Sequence, residues 1–146
     1  MRITPAQGRG ARVKLRGIYL SIALSMIPIG LIARSLRGGA DRSTLPGFIA
    51  AYLADTLWAV MFFFLFASAF VRWPGWRLLM LTLCFTMGIE ASQLYRGEPL
   101  ATLRSFAPTR FLLGTNFLWS DIACLAVGSV LAFGLHCLIP RLAKYT

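Results

Sequence analysis

Residues 48–71 read FIAAYLADTLWAVMFFFLFASAFV, and the fold follows from how this stretch is read. Asp55 is the single charge in an otherwise apolar run. A helix crossing the hydrocarbon core of a bilayer needs about 20 mostly apolar residues. The stretch meets that length and is read as a membrane-spanning helix. Working outward, similar runs cover residues 17–33, interrupted by Pro28, then 76–95 and 118–139. Neighbouring helices tolerate a proline at such a position. The expected fold is an all-α membrane protein with four transmembrane helices. A basic cytoplasmic tail over 1–16 precedes a single transmembrane domain over 17–146. Residues 96–117 carry Gly97, Pro99, Pro108 and Gly114, but also Phe106, Phe111, Leu112, Leu113 and Phe117. That segment is too broken to span and too apolar for a free loop. It is expected to be re-entrant or interfacial, between the third and fourth helices.

Composition supports the same class. The chain has 146 residues, 58% hydrophobic and 14% charged. Its mean hydropathy is +0.69. Soluble domains average about 45–50% apolar and about 25% charged residues. A soluble domain of this length buries only about two-thirds of its surface, too little to hide so much apolar material. The net charge is +10, from 15 basic and 5 acidic residues. A basic excess of that size in a soluble chain would suggest nucleic acid. Here the bases stand at the ends of apolar runs, where topology and anionic lipid account for them, and no nucleic-acid partner is expected.

Orientation follows from where the bases fall. Arg2, Arg9, Arg12, Lys14, Arg16, Arg72, Arg77, Arg141 and Lys144 share one side. Arg34, Arg37, Arg42, Arg96, Arg104 and Arg110 share the other. Both termini are therefore expected in the cytoplasm, with the protein in the bacterial inner membrane. The first run also resembles a signal peptide, with small residues at Gly38–Ala40. Its length, and Arg34 and Arg37 ahead of those residues, favour an uncleaved helix.

Three of the five acidic residues lie within predicted spans: Asp55, Glu90 and Asp121. Carboxylates in hydrocarbon face a partner, a cavity or water. With alternating helix directions, all three fall about one to two turns below the same outer face. Thr82, Thr86 and Glu90 follow at spacing four and Gln93 comes three later, so a polar stripe runs along the third helix. Ala51 and Ala59 flank Asp55 at that spacing, and Asp121, Cys124, Gly128 and Ala132 make a small face on the fourth helix. Small faces let helices approach closely in a membrane.

Several of these residues together resemble a VanZ-like family of small bacterial polytopic membrane proteins, in its uncharacterised short branch. The resemblance rests on Ala54-Asp55-Thr56-Leu57-Trp58 and on Glu90-Ala-Ser-Gln93-Leu-Tyr95. It continues through Arg104, Leu113-Gly114, Phe117, Asp121 and Gly128. The chain departs at Ala54, where the pattern has glycine. The resemblance implies a four-helix membrane protein with a polar cluster and a role in the cell envelope. It implies no reaction.

The candidate site is an outer-leaflet pocket of Asp55, Glu90, Gln93, Arg104 and Asp121, with Arg34 and Arg110 as further members. Arginine forks suit phosphate. The expected ligand is accordingly an anionic lipid-linked or cell-envelope molecule, its phosphate on the arginines and its hydroxyls or amines on the carboxylates. Binding without catalysis is the leading expectation. The alternatives are a membrane-embedded enzyme acting on a lipid phosphate and a structural subunit of a membrane complex. No nucleophile is evident, since Ser92 and Ser120 have no histidine nearby in sequence. No cofactor and no metal are expected; a hard cation held by the carboxylates with Asn116 is the weaker reading. Membrane lipids, a protein partner or a second copy are the expected partners.

The remaining features read as structural. His136 is expected to pack or to meet head groups, Cys84, Cys124 and Cys137 to fill space, and Phe62–Phe64 to face lipid and core. Trp73, Trp76 and Trp119 fall at predicted interfaces. Gly8 and Gly10 lack the strand and lysine of a phosphate loop. The tail is expected to lie disordered along anionic lipid.

Overall fold

The computed structural model describes residues 5–37, 45–94, 105 and 119–142. Over these residues the chain is all-helical: α1 (Pro5–Arg37), α2 (Leu45–Ala69), α3 (Gly75–Leu94) and α4 (Trp119–Leu142). The region read as re-entrant, 96–117, lies outside the described residues apart from Ser105.

α1 begins at Pro5, so the basic residues from Arg9 to Arg16 belong to the helix instead of trailing from it. Proline suits a first helical position because its missing N–H would be unsatisfied there. Ala6, Gln7, Ala11, Lys14 and Leu15 are good helix formers. The helix continues through Pro28.

α2 is the central element. It packs against α1, α3 and α4, and α3 also packs on α4. A tight turn, Phe70–Pro74, joins α2 to α3. Phe70 N–H donates to Phe66 O (2.8 Å) and Trp73 N–H to Phe70 O (2.9 Å). Pro74 O then accepts from Arg77 N–H at 3.0 Å, which starts α3. So short a link sets the two helices antiparallel. Arg16 against the Ala69 carbonyl and the Tyr19–Phe64 ring contact at 5.8 Å set α1 antiparallel to α2. Gly75 near Phe133 and His136 sets α3 antiparallel to α4.

The core is largely phenylalanine. Phe62, Phe63 and Phe64, expected to face both lipid and core, are all buried in the core. The reason is that α2 is covered on several sides at once. Tyr19, Ala23, Leu78 and Ala132 complete the cluster from the other three helices. His136 stands inside it, 5.2 Å from Tyr19 and 5.7 Å from Phe63 between ring centroids, which is a packing position.

The outer surface is the apolar one. α1 turns Tyr19, Ala23 and Ala33 inward and leaves Ile18, Leu20, Leu24, Ile27, Leu31 and Ile32 exposed. Apolar exposure on that scale marks a surface that does not face water. Arg12–Ala33, Tyr52–Ala69 and Trp119–Ile139 are each long and apolar enough to cross a membrane. α3, with 20 residues, matches them in length but not in hydropathy.

Candidate functional site

The lower hydropathy of α3 lies in its buried face. Leu78, Thr82, Thr86, Glu90 and Gln93 are its buried residues, at helical spacing, and all but Leu78 are polar. Its exposed side carries Met80, Phe85, Met87 and Leu94. This is the reverse of a soluble amphipathic helix, with the polar stripe inside and the apolar side out.

The hydroxyls along that stripe are already engaged. Thr82 Oγ1 donates to Leu78 O at 2.8 Å and Thr86 Oγ1 to Thr82 O at 2.9 Å. Such bonds back to the preceding turn let a polar side chain sit in an apolar interior. Glu90 and Gln93 differ. A side-chain hydrogen bond joins them. Yet Glu90 Oε2 and Gln93 Oε1 are buried with no partner among the described residues. Both residues are only 8% exposed. A buried acceptor without a donor is destabilising by about 1–3 kcal/mol, so two together need a reason.

Two further carboxylates approach from other helices. Asp55 on α2 and Asp121 on α4 are half-buried and lie within electrostatic range of Glu90. Asp121 occupies the first turn of α4, where the helix dipole favours an anion, and accepts from Ser120 Oγ at 3.1 Å. Cys124, one turn further along α4, is in range of both aspartates and of Thr56. Thr56 Oγ1 also donates to Tyr52 O at 2.9 Å.

Gly128 sets how closely the two aspartate-bearing helices approach. A Cβ there would run into the Thr56 carbonyl and come within 3.0 Å of Ala59 Cβ. The small faces of α2 and α4 thus meet one to two turns from the acids.

The structure therefore brings Asp55, Glu90, Gln93 and Asp121 to one end of the bundle, on three helices. Arg104, Arg110 and Asn116 lie outside the described residues, as does the side chain of Arg34 on α1. Among the described residues, no three His, Cys, Asp or Glu side chains are close enough to share a metal ion. Thr56 and Cys124 also belong to this end. Their sequence signals were adjacency to Asp55 and the three-residue spacing from Asp121.

No solved structure matches the chain. A protein-family model does, over residues 44–129, a stretch that contains every candidate site residue except Arg34. The chain belongs to that family, DUF2809, whose description is "protein of unknown function".

Proposed function

We propose that this chain is a four-span protein of the bacterial inner membrane that binds an anionic lipid-linked or cell-envelope ligand at its acidic end, without catalysis. Two buried acceptors without a partner among the described residues, Glu90 Oε2 and Gln93 Oε1, carry this reading. They call for a donor, such as a hydroxyl or an amine on the ligand. Asp55 and Asp121 add acceptor capacity on the same side. The ligand's phosphate is assigned to Arg104 and Arg110, with Arg34, since arginine binds phosphate through a bidentate fork. The resemblance to VanZ-like proteins favours an envelope setting.

The inverted polarity of α3 supports its crossing the membrane as the fourth span. A helix of 20 residues is about 30 Å long, enough to reach across the hydrocarbon core. Arg12, Lys14, Arg16, Arg72 and Arg77 cluster at the end opposite the acids, which supports cytoplasmic termini and an outward-facing site.

The test uses the full chain in nanodiscs with a labelled polyprenyl phosphate. The wild type is expected to retain the probe, and Glu90→Gln and Arg104→Gln each to lose it at unchanged helicity. Retention by both variants, folded, would remove the site. Conversion of the probe by the wild type and not by Glu90→Gln would make the protein an enzyme. If no probe binds and Asp55→Asn and Glu90→Gln destabilise non-additively, the cluster is a structural lock.

A further inference from the structure

The opposite end of the bundle holds a second polar feature. A cleft of about 420 Å³ is lined by Arg12, Val13 and Arg16 of α1, Ala69 of α2, and Phe70–Trp73 of the turn. Arg12 and Arg16 are four residues apart and so share one face of α1. Arg72 projects from the turn to complete three guanidiniums around one opening. Arg16 Nη2 lies 3.5 Å from the Ala69 carbonyl, which ties its guanidinium to the last turn of α2. Among the described residues, no other hydrogen bond engages these three arginines.

No acidic side chain lines this cleft. The described acids, Asp55, Glu90 and Asp121, are at the far end of the bundle, so among the described residues nothing offsets this charge. The cleft is also flanked by interfacial aromatics. Phe70 and Trp73 stack at 4.4 Å between centroids, and Trp76 is 56% exposed beside them. Tryptophan at this position marks head-group depth. The volume exceeds what one phosphate group occupies and lies in the range of small-ligand clefts, about 300–1,000 Å³.

We propose that the Arg12–Arg16–Arg72 cleft is a binding site for an anionic phospholipid, its phosphate held between the guanidiniums and its glycerol and acyl start against Val13, Phe70 and Trp73. Three positions around one phosphate distinguish a site from diffuse attraction between a basic surface and a membrane. Arginine's planar fork, set on two different elements, provides directional donors that a general positive charge does not. This site is separate from the acidic end and does not depend on the function proposed there.

The experiment is native mass spectrometry of the full chain released from nanodiscs of phosphatidylglycerol in phosphatidylcholine, scoring retained phosphatidylglycerol. Arg12→Gln, Arg16→Gln and Arg72→Gln are each expected to weaken retention about fivefold, and the triple variant about a hundredfold. Arg77→Gln, an arginine at the same end that lies over Trp76 and outside the cleft, is expected to change it less than about twofold. An equal loss in Arg77→Gln means diffuse attraction and overturns the proposal. Retention in the folded triple variant does the same. Should the triple variant lose helicity, the single variants decide, and unchanged retention in all three overturns it. Displacement of the lipid by excess inorganic phosphate would make the ligand a soluble phosphate and overturn the lipid assignment.

Discussion

Gly128→Ala tests how the bundle sets its acidic end. The added methyl meets a backbone carbonyl, that of Thr56, which no side-chain rotation can move aside. Its other neighbour is Ala59 Cβ at 3.0 Å. Ordinary carbon contacts lie at about 3.5–4.0 Å, so α2 and α4 must part by about 0.5–1 Å. A gap of that size forfeits about a quarter to a half of each dispersion contact along the seam. Overpacking of this kind is destabilising by about 1–3 kcal/mol. Alanine returns about 0.5–1 kcal/mol through its better helix propensity. The net loss is about 1–2 kcal/mol, or about 2–8 °C in the thermal midpoint for a chain of this length. The assay is thermal unfolding in nanodiscs, with Gly88→Ala as reference. Nothing lies within 4 Å of a Cβ at Gly88, so there only the propensity gain remains and the midpoint should hold or rise. If Gly128→Ala is as stable as Gly88→Ala, the close α2–α4 contact is refuted, and with it the spacing of Asp55 and Asp121 inferred from it.

Two further outcomes follow from the packing. Phe63 is fully buried on the central helix, so Phe63→Ala opens a cavity. In water such a change costs about 3–5 kcal/mol. In lipid the transfer contribution shrinks, and about 2–3 kcal/mol is expected by denaturant titration in mixed micelles. Thr82→Val removes a hydroxyl that, among the described residues, bonds its own helix alone. It should shift the same titration by less than about 1 kcal/mol, and a larger loss would mean that Thr82 has a partner across the bundle.

The residues differ in how far their roles can be read from the chain alone. α2 and α4 lie where the apolar runs 48–71 and 118–139 stand, because hydropathy over 20 residues is a local property. The common end of Asp55, Glu90 and Asp121 was legible too, since successive membrane-crossing helices alternate in direction and position along each helix then gives depth. Lateral neighbours were not. Phe62–Phe64 are buried because α2 is central, and centrality depends on which helices pair, which hydropathy does not encode. His136 stands among Tyr19 and Phe63 for the same reason. The start of α1 at Pro5 was hidden because a basic, polar stretch carries no hydropathy signal even where its residues favour helix. The arginine cleft needs α1 docked on the far end of α2, 53 residues away in sequence from Arg16 to Ala69.

The two ends also constrain one another through charge. Fourteen residues of α2 separate Asp55 from Ala69, the residue that Arg16 touches, which is about 21 Å of helix. Opposite charges stabilise one another strongly only within hydrogen-bonding reach, and an ion pair requires contact at about 4 Å. The carboxylates of Asp55, Glu90 and Asp121 therefore cannot neutralise Arg12, Arg16 and Arg72, although their charges are equal and opposite in number. With these three acids and these three bases at opposite ends, each group needs a partner of its own nearby. At the basic end no described acidic residue lines the cleft, which suits the anionic lipid proposed there. At the acidic end Glu90 Oε2 and Gln93 Oε1 have no partner among the described residues and both are acceptors, so their partner has to donate. The three cleft arginines thus call for an anion and the Glu90 and Gln93 oxygens for a donor, so the ligand at the acidic end needs a hydroxyl or an amine besides the phosphate assigned to its arginines.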